Sequence, residues 1–106
     1  DYHMMRVCLR TGLVCIADPD LRRRLTARTW VDAHEEHAIR QATGRAIAGL
    51  VRQTGRTVAE IDGLFFKIGR TLCLETEPTR CTECPLQDGC AKDVALFQPV
   101  FRTTAY

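Results

Sequence analysis

Four of the six cysteines fall within the stretch CLETEPTRCTECPLQDGC, as Cys73, Cys81, Cys84 and Cys90, with the spacing C-x7-C-x2-C-x5-C. Thiols this close together have three fates. Four cysteines allow three disulfide pairings, but such bridges persist in oxidising compartments and not in a reducing cytoplasm. Structural zinc commonly uses two C-x2-4-C knuckles separated by a longer linker. This stretch has one such knuckle, flanked by single cysteines. An iron–sulfur cubane accepts four thiolates at its corners and needs no matched knuckles. The pattern therefore favours a [4Fe–4S] cluster over Zn, with disulfides below both, and spacing alone leaves zinc open.

Other residues invite chemistry less specifically. Arg22, Arg23, Arg24 and Arg28 form the densest basic patch. It reads either as a solvated helix face or as a phosphate-contact surface with salt-sensitive, sequence-independent binding. Arg6 and Arg10 extend that surface if the first two helices pack together. His34-Glu35-Glu36-His37 places two histidines at i and i+3, whereas the metalloprotease pattern needs i and i+4. It reads as a solvated helix start with its acids near the positive end of the dipole. Met4 and Met5 read as core filler, and Cys8 and Cys15 as buried thiols outside the ligand set.

The elements that must carry these residues are helical. Tyr2–Thr11 reads as a helix with Asp1 as N-cap and Gly12 as the residue that ends it. Asp18-Pro19 opens a short second helix through DLRRRLTAR. Asp32 and Glu35 form a capping box. From there Ile39, Ala42, Ala46, Ile47 and Leu50 repeat at helical spacing up to Gly55. That helix spans about 33 Å. Gly44 and Gly49 inside it suggest close packing against a neighbour. A second capping box, Thr57-Val58-Ala59-Glu60, starts a helix whose stripe of Ile61, Leu64, Phe65, Ile68 and Leu72 leads directly to Cys73. Beyond Cys90, AKDVALF has room for a last turn or two. The expected fold is all-α: one small domain of about four helices (1–72), a four-cysteine loop (73–90) and a tail (91–106).

The 106 residues suit one domain, which a bound metal or cluster would help to stabilise. Residues 1–56 carry ten arginines against six acids, and residues 57–106 five basic residues against seven acids. Thirteen of the 15 basic residues are arginine, the side chain suited to bidentate phosphate contact. A GC-rich genome gives the same bias. No apolar run approaches a membrane span and no charged-then-apolar leader is present, so a cytoplasmic protein without a membrane partner is expected. A sequence starting at Asp1 and not at Met reads as part of a longer chain.

Two separated motifs resemble one family. C-x-x-C-P-L-x-x-x-C, preceded by Ile68-Gly69-Arg70-Thr71-Leu72-Cys73, is similar to the cluster loop and the "H-G-R-x-x-C" of endonuclease III-like DNA glycosylases, in the helix-hairpin-helix superfamily. Asp1-Tyr2-His3-Met4-Met5-Arg6-Val7-Cys8-Leu9-Arg10 resembles the family's "D-T-H-x-x-R-V-x-x-R". The first cysteine gap holds one residue more than the family's usual six, and Tyr2 replaces the usual threonine. The likeness spans residues 1 to about 92, with the middle matched only as helices.

The resemblance implies a C-terminal region of a base excision repair enzyme. Asp1 would be the catalytic carboxylate, and Cys73, Cys81, Cys84 and Cys90 the ligands of a [4Fe–4S] cluster. Damaged double-stranded DNA would be the partner, and the site of action would be the nucleoid if the source is bacterial. The helix-hairpin-helix and any nucleophilic lysine would lie in an N-terminal part of the same protein. A carboxylate suits N-glycosidic cleavage, because charge builds on the sugar as the bond breaks and the target base must leave the stack. Asp1 as a cap and Asp1 as catalyst are compatible roles. His3 matches a family histidine and equally suits packing. The family's basic loop after the first cysteine here reads LETEPTR, where Glu75 and Glu77 repel phosphate and Arg80 alone fits the DNA-facing role. Tyr2, that acidic loop and the Arg-rich middle favour the other reading, a non-catalytic nucleic-acid-binding or interaction module that keeps the cluster. A zinc-stabilised helical domain is a third.

Overall fold

The computed structural model describes residues 2–74 and 78–96, and of Tyr2 only the backbone. Within them lie four helices: α1 (Tyr2–Thr11), α2 (Pro19–Thr26), α3 (Ala33–Thr54) and α4 (Val58–Thr71). A single 3-10 turn, Cys81–Glu83, sits in the cysteine loop, and no strand occurs among the described residues. The protein is all-α.

Local chemistry sets the helix ends. Asp18 accepts the Asp20 N–H at 2.9 Å, with Pro19 filling the first position of α2. Both capping boxes close reciprocally. Asp32 accepts from the Glu35 N–H at 2.8 Å, and Glu35 accepts from the Asp32 N–H at 3.1 Å. Thr57 and Glu60 do the same at 3.1 and 3.2 Å. Gly55 ends α3 at φ 71°, a left-handed conformation that glycine adopts without a Cβ penalty. α2 stops at Thr26, short of the expected extent, and Arg28 turns the chain at φ 59°. After Cys90 one turn forms, with Leu96 N–H on Asp93 O at 3.1 Å, but no helix, and Lys92 stands at φ 55°.

α1 is the central element. Every residue from Met4 to Arg10 is buried, the pattern of a helix enclosed on all sides rather than on one stripe. α3 and α4 pack against it and against each other, and segment 91–96 closes over its C-terminal end. The core joins Met5, Val7, Cys8 and Leu9 of α1 to Ile39 and Ile47 of α3, Ile61, Phe65 and Ile68 of α4, and Leu96. Met4 and Met5 are core residues, as expected. Leu64 faces outward, 38% exposed, and is the exception in the α4 stripe.

The close backbone approach is not at Gly44 or Gly49. A Cβ on Gly44 would meet nothing within 4 Å, and one on Gly49 only the tip of Arg52 at 3.8 Å. The tight glycine is Gly69, where an added Cβ would lie 3.1 Å from the His3 Cβ. That clearance lets α4 lie directly on the start of α1. The His3 ring adds an edge-on contact with Phe66, centroids 5.3 Å apart.

α2 is fastened from outside. Leu25 reaches the core, Arg22 pairs with Asp93, and Arg24 grips both carboxylate oxygens of Glu35, one of them at 2.7 Å. Arg24 first, and the Asp32 N–H second, hold the Glu35 carboxyl down at about 2. The native state thus binds this proton more weakly than the unfolded chain. The contribution is complete above the ordinary value of 4.5 and is lost as pH falls toward 2. In Glu35→Gln, stability measured by urea denaturation should lose part of its dependence on pH across that window, while the wild type retains it.

Candidate metal centre

The cysteine loop starts where α4 runs out. The Leu72 and Cys73 N–H groups both reach back to the Ile68 carbonyl, at 2.9 and 2.7 Å. The chain returns with the Arg80 N–H on the Leu72 carbonyl at 2.8 Å. Short turns follow: Cys84 N–H to Cys81 O, Gln87 N–H to Cys84 O, and Gly89 N–H to Leu86 O, at 3.1, 3.2 and 3.2 Å. This chain of tight turns brings Cys73, Cys81, Cys84 and Cys90 to the walls of one cavity of about 30 Å³, which Val7, Ile68, Leu72 and Leu86 also line. All four thiols are half-buried.

Each of these sulfurs has a hydrogen-bonding neighbour. Arg10 donates from Nη1 to Cys73 Sγ at 3.4 Å, Leu86 N–H to Cys84 Sγ at 3.5 Å, and Lys92 N–H to Cys90 Sγ at 3.2 Å. Thr79 Oγ1 lies 3.2 Å from Cys81 Sγ. Donors aimed at a ligating sulfur help to orient it. Cys90 Sγ also stands 3.7 Å from the Arg10 carbonyl, which a protonated thiol would use.

As placed, no three His, Cys, Asp or Glu side chains among the described residues converge closely enough to hold a single metal ion. The four cysteines share the lining of one small cavity. A four-iron core exceeds about two waters' worth of space, so taking one up would shift the loop outward.

The two remaining cysteines stand apart from this arrangement. Cys8 is fully buried in the core, and burial pushes its thiol up to about 12. Cys15 is exposed and not buried as expected, because it follows the Gly12 turn on the outer side of the chain.

Arg6 and Arg10 need the largest correction. They do not extend a phosphate-binding face; they are 1% and 2% exposed. One helical turn apart on α1, both point at the end of α4. Arg6 donates to the Gly69 carbonyl at 2.7 Å and to the Cys73 carbonyl at 3.3 Å, with His3 Nδ1 3.1 Å away. Arg10 donates to Leu74 O at 2.7 Å and to Leu96 O at 3.0 Å, besides Cys73 Sγ. The sequence marks both arginines, but for a phosphate-facing surface and not for this buried role. The available signal was two cations, four apart, inside an otherwise apolar run. His3 is packed between Phe66 and Arg6.

The α2 patch is largely neutralised within the protein. Arg22 pairs with Asp93, Arg23 with Asp20, and Arg24 with Asp20 and Glu35. Arg28 and Arg80 are exposed, and Arg80 borders the cysteine cavity. His34 and His37 are both exposed, while Glu36 is buried and bound to Arg40 at 2.7 Å, so the four do not form a metal site. Asp1, Glu75, Glu77 and the tail beyond Leu96 lie outside the described residues, as does the Tyr2 side chain. No helix among the described residues is long and apolar enough to cross a membrane. No family model, no curated protein and no solved structure matches the chain.

Arg10→Met keeps the apolar stem and strips the carbonyls of Leu74 and Leu96 of their donor. Unsatisfied buried acceptors cost about 1–3 kcal/mol each. A loss of about 3 kcal/mol is expected by urea denaturation, whereas Arg22→Met, which breaks a partly exposed pair, should cost no more than about 1 kcal/mol.

Proposed function

We propose that this chain is the [4Fe–4S]-bearing C-terminal region of an endonuclease III-like DNA glycosylase, acting in the cytoplasm on damaged duplex DNA. The observation that carries the reading is the meeting of Cys73, Cys81, Cys84 and Cys90 on one cavity, each sulfur beside an N–H or O–H. A tetrahedral zinc ion would draw four sulfurs to within about 2.3 Å of a single point. A cubane takes one thiolate at each of four corners, which the C-x7-C-x2-C-x5-C set supplies without two matched knuckles. The cluster, when bound, supplies four covalent cross-links to the loop.

The protein's own residues do the rest. Arg10 and the N–H groups of Leu86 and Lys92 place donors on Cys73, Cys84 and Cys90 and so help to orient the ligands. Arg6 and Arg10 bind the loop's first residues to α1, which begins at Tyr2, directly after Asp1. In the proposed reaction the Asp1 carboxylate faces the sugar. As the N-glycosidic bond breaks, the base leaves with the bonding electrons and the carboxylate stabilises the cation left behind. Water, or a lysine in the N-terminal part, then bonds to that carbon and gives up a proton, and the departed base takes up a proton in turn.

The intramolecular pairing of Arg22, Arg23 and Arg24 supports a second reading, a non-catalytic interaction module that retains the cluster.

Anaerobically purified protein should be brown, with about four irons and four sulfides per chain. Cys81→Ser should lower both, and Cys15→Ser should leave both unchanged. A colourless protein with one zinc and no sulfide would sink the cluster. Asp1→Asn in the full-length protein should abolish base release from damaged duplexes while iron content stays constant. Base release that survives this change would favour the module.

A further inference from the structure

The outward face of α3 carries a surface of a different kind from the α2 patch. The buried side of this helix is marked by Glu36, Ile39, Thr43 and Ile47. At 100° per residue, His34, Gln41, Arg45, Ala48 and Arg52 fall on the opposite side, and all five are exposed. Residues 37–59 contain no aspartate or glutamate at all. The helix's two acids, Glu35 and Glu36, are turned inward to Arg24 and Arg40. Arg40 and Arg56 are answered by Glu36 and Glu60. Arg45 and Arg52 have no carboxylate partner among the described residues. They stand seven residues apart, about 10.5 Å along the axis, and nearly eclipse one another. Between them Ala48 and Gly49 keep the helix surface low, and nothing stands near Gly44. An acid-free stripe with two unanswered guanidinium groups complements a line of negative charge.

We propose that this face of α3, through Arg45 and Arg52, is where the protein engages the phosphate backbone of duplex DNA, in place of the α2 arginines. The inference rests on the reading of the protein as DNA-acting, and its test is separable from the cluster. Guanidinium groups on a low helix surface can each pair with a backbone phosphate, and this contact reads no sequence. Each phosphate neutralised releases condensed counterions, so the contact appears in the salt dependence of binding.

The experiment is fluorescence anisotropy of the full chain with a labelled duplex of arbitrary sequence, titrated at several salt concentrations. Iron is measured on the same samples. Loss of two phosphate contacts should reduce the slope of log K against log salt by about 1.8 in Arg45→Gln/Arg52→Gln. Glutamine preserves helix propensity, so helix content by circular dichroism should match the wild type. Arg56→Gln, which removes an equal charge just past the helix, should leave the slope as it was. An unchanged slope in the double variant would overturn the proposal, and so would an equal fall in Arg56→Gln. Wild-type protein with its full iron content and no salt-dependent binding would also overturn it, while leaving the cluster standing.

Discussion

Two buried arginines on one helix hold this protein together. Ionised side chains are costly to bury unless they are paired and hydrogen-bonded. Arg6 and Arg10 offset that cost by serving backbone carbonyls. The acceptors are those that α4 and the loop leave open as the helix unwinds: Gly69, Cys73 and Leu74, with Leu96 added from the far side. The orphan carbonyls at a helix end thus become the seats of cations. Because those seats adjoin Cys73, the same bonds that complete the core also fix the first wall of the cysteine cavity.

The exchange is reciprocal. The last carbonyls of α1 are themselves unsatisfied within the helix. They are met by the chain that leaves Cys90: Ala91 N–H on Thr11 O at 3.0 Å and Asp93 N–H on Arg10 O at 2.9 Å. Gly12, at φ 87°, clears the way for this crossing, since a Cβ there would come 3.2 Å from that of Ala91. α1 is therefore clamped at the entrance to the loop by its side chains and at the exit by its backbone. The loop needs little regular structure of its own.

Much of this was legible in the residues. Capping boxes, proline at a first helical position and glycine past a last one are local signals with local causes. They set α2, α3 and α4 to within a residue or two. The cysteine spacing likewise marked the loop. What the pattern did not reveal depends on partners distant in sequence. The arginines of α1 look like surface cations until the carbonyls they serve are known, and those lie 63 to 86 residues away. Arg22, Arg23 and Arg24 look like a cationic patch until Asp93 and Glu35 are brought beside them. Gly44 and Gly69 are indistinguishable as letters, and only the crossing of α4 over His3 makes one of them tight.

The clamp on α1 also bears on how the chain matures during synthesis. α3 and α4 are neighbours in sequence and can pair as soon as both have left the ribosome. α1 precedes them, yet the acceptor for Arg10 on Leu96 is separated from it by 86 positions. At roughly 5–20 residues per second, that interval lasts on the order of 4–17 seconds. Until Leu96 emerges, Arg10 lacks that acceptor and its guanidinium stays hydrated, while Arg6 can already reach Gly69 and Cys73. The order of the elements along the chain makes the C-terminal end of α1 the part of that helix to be closed over last.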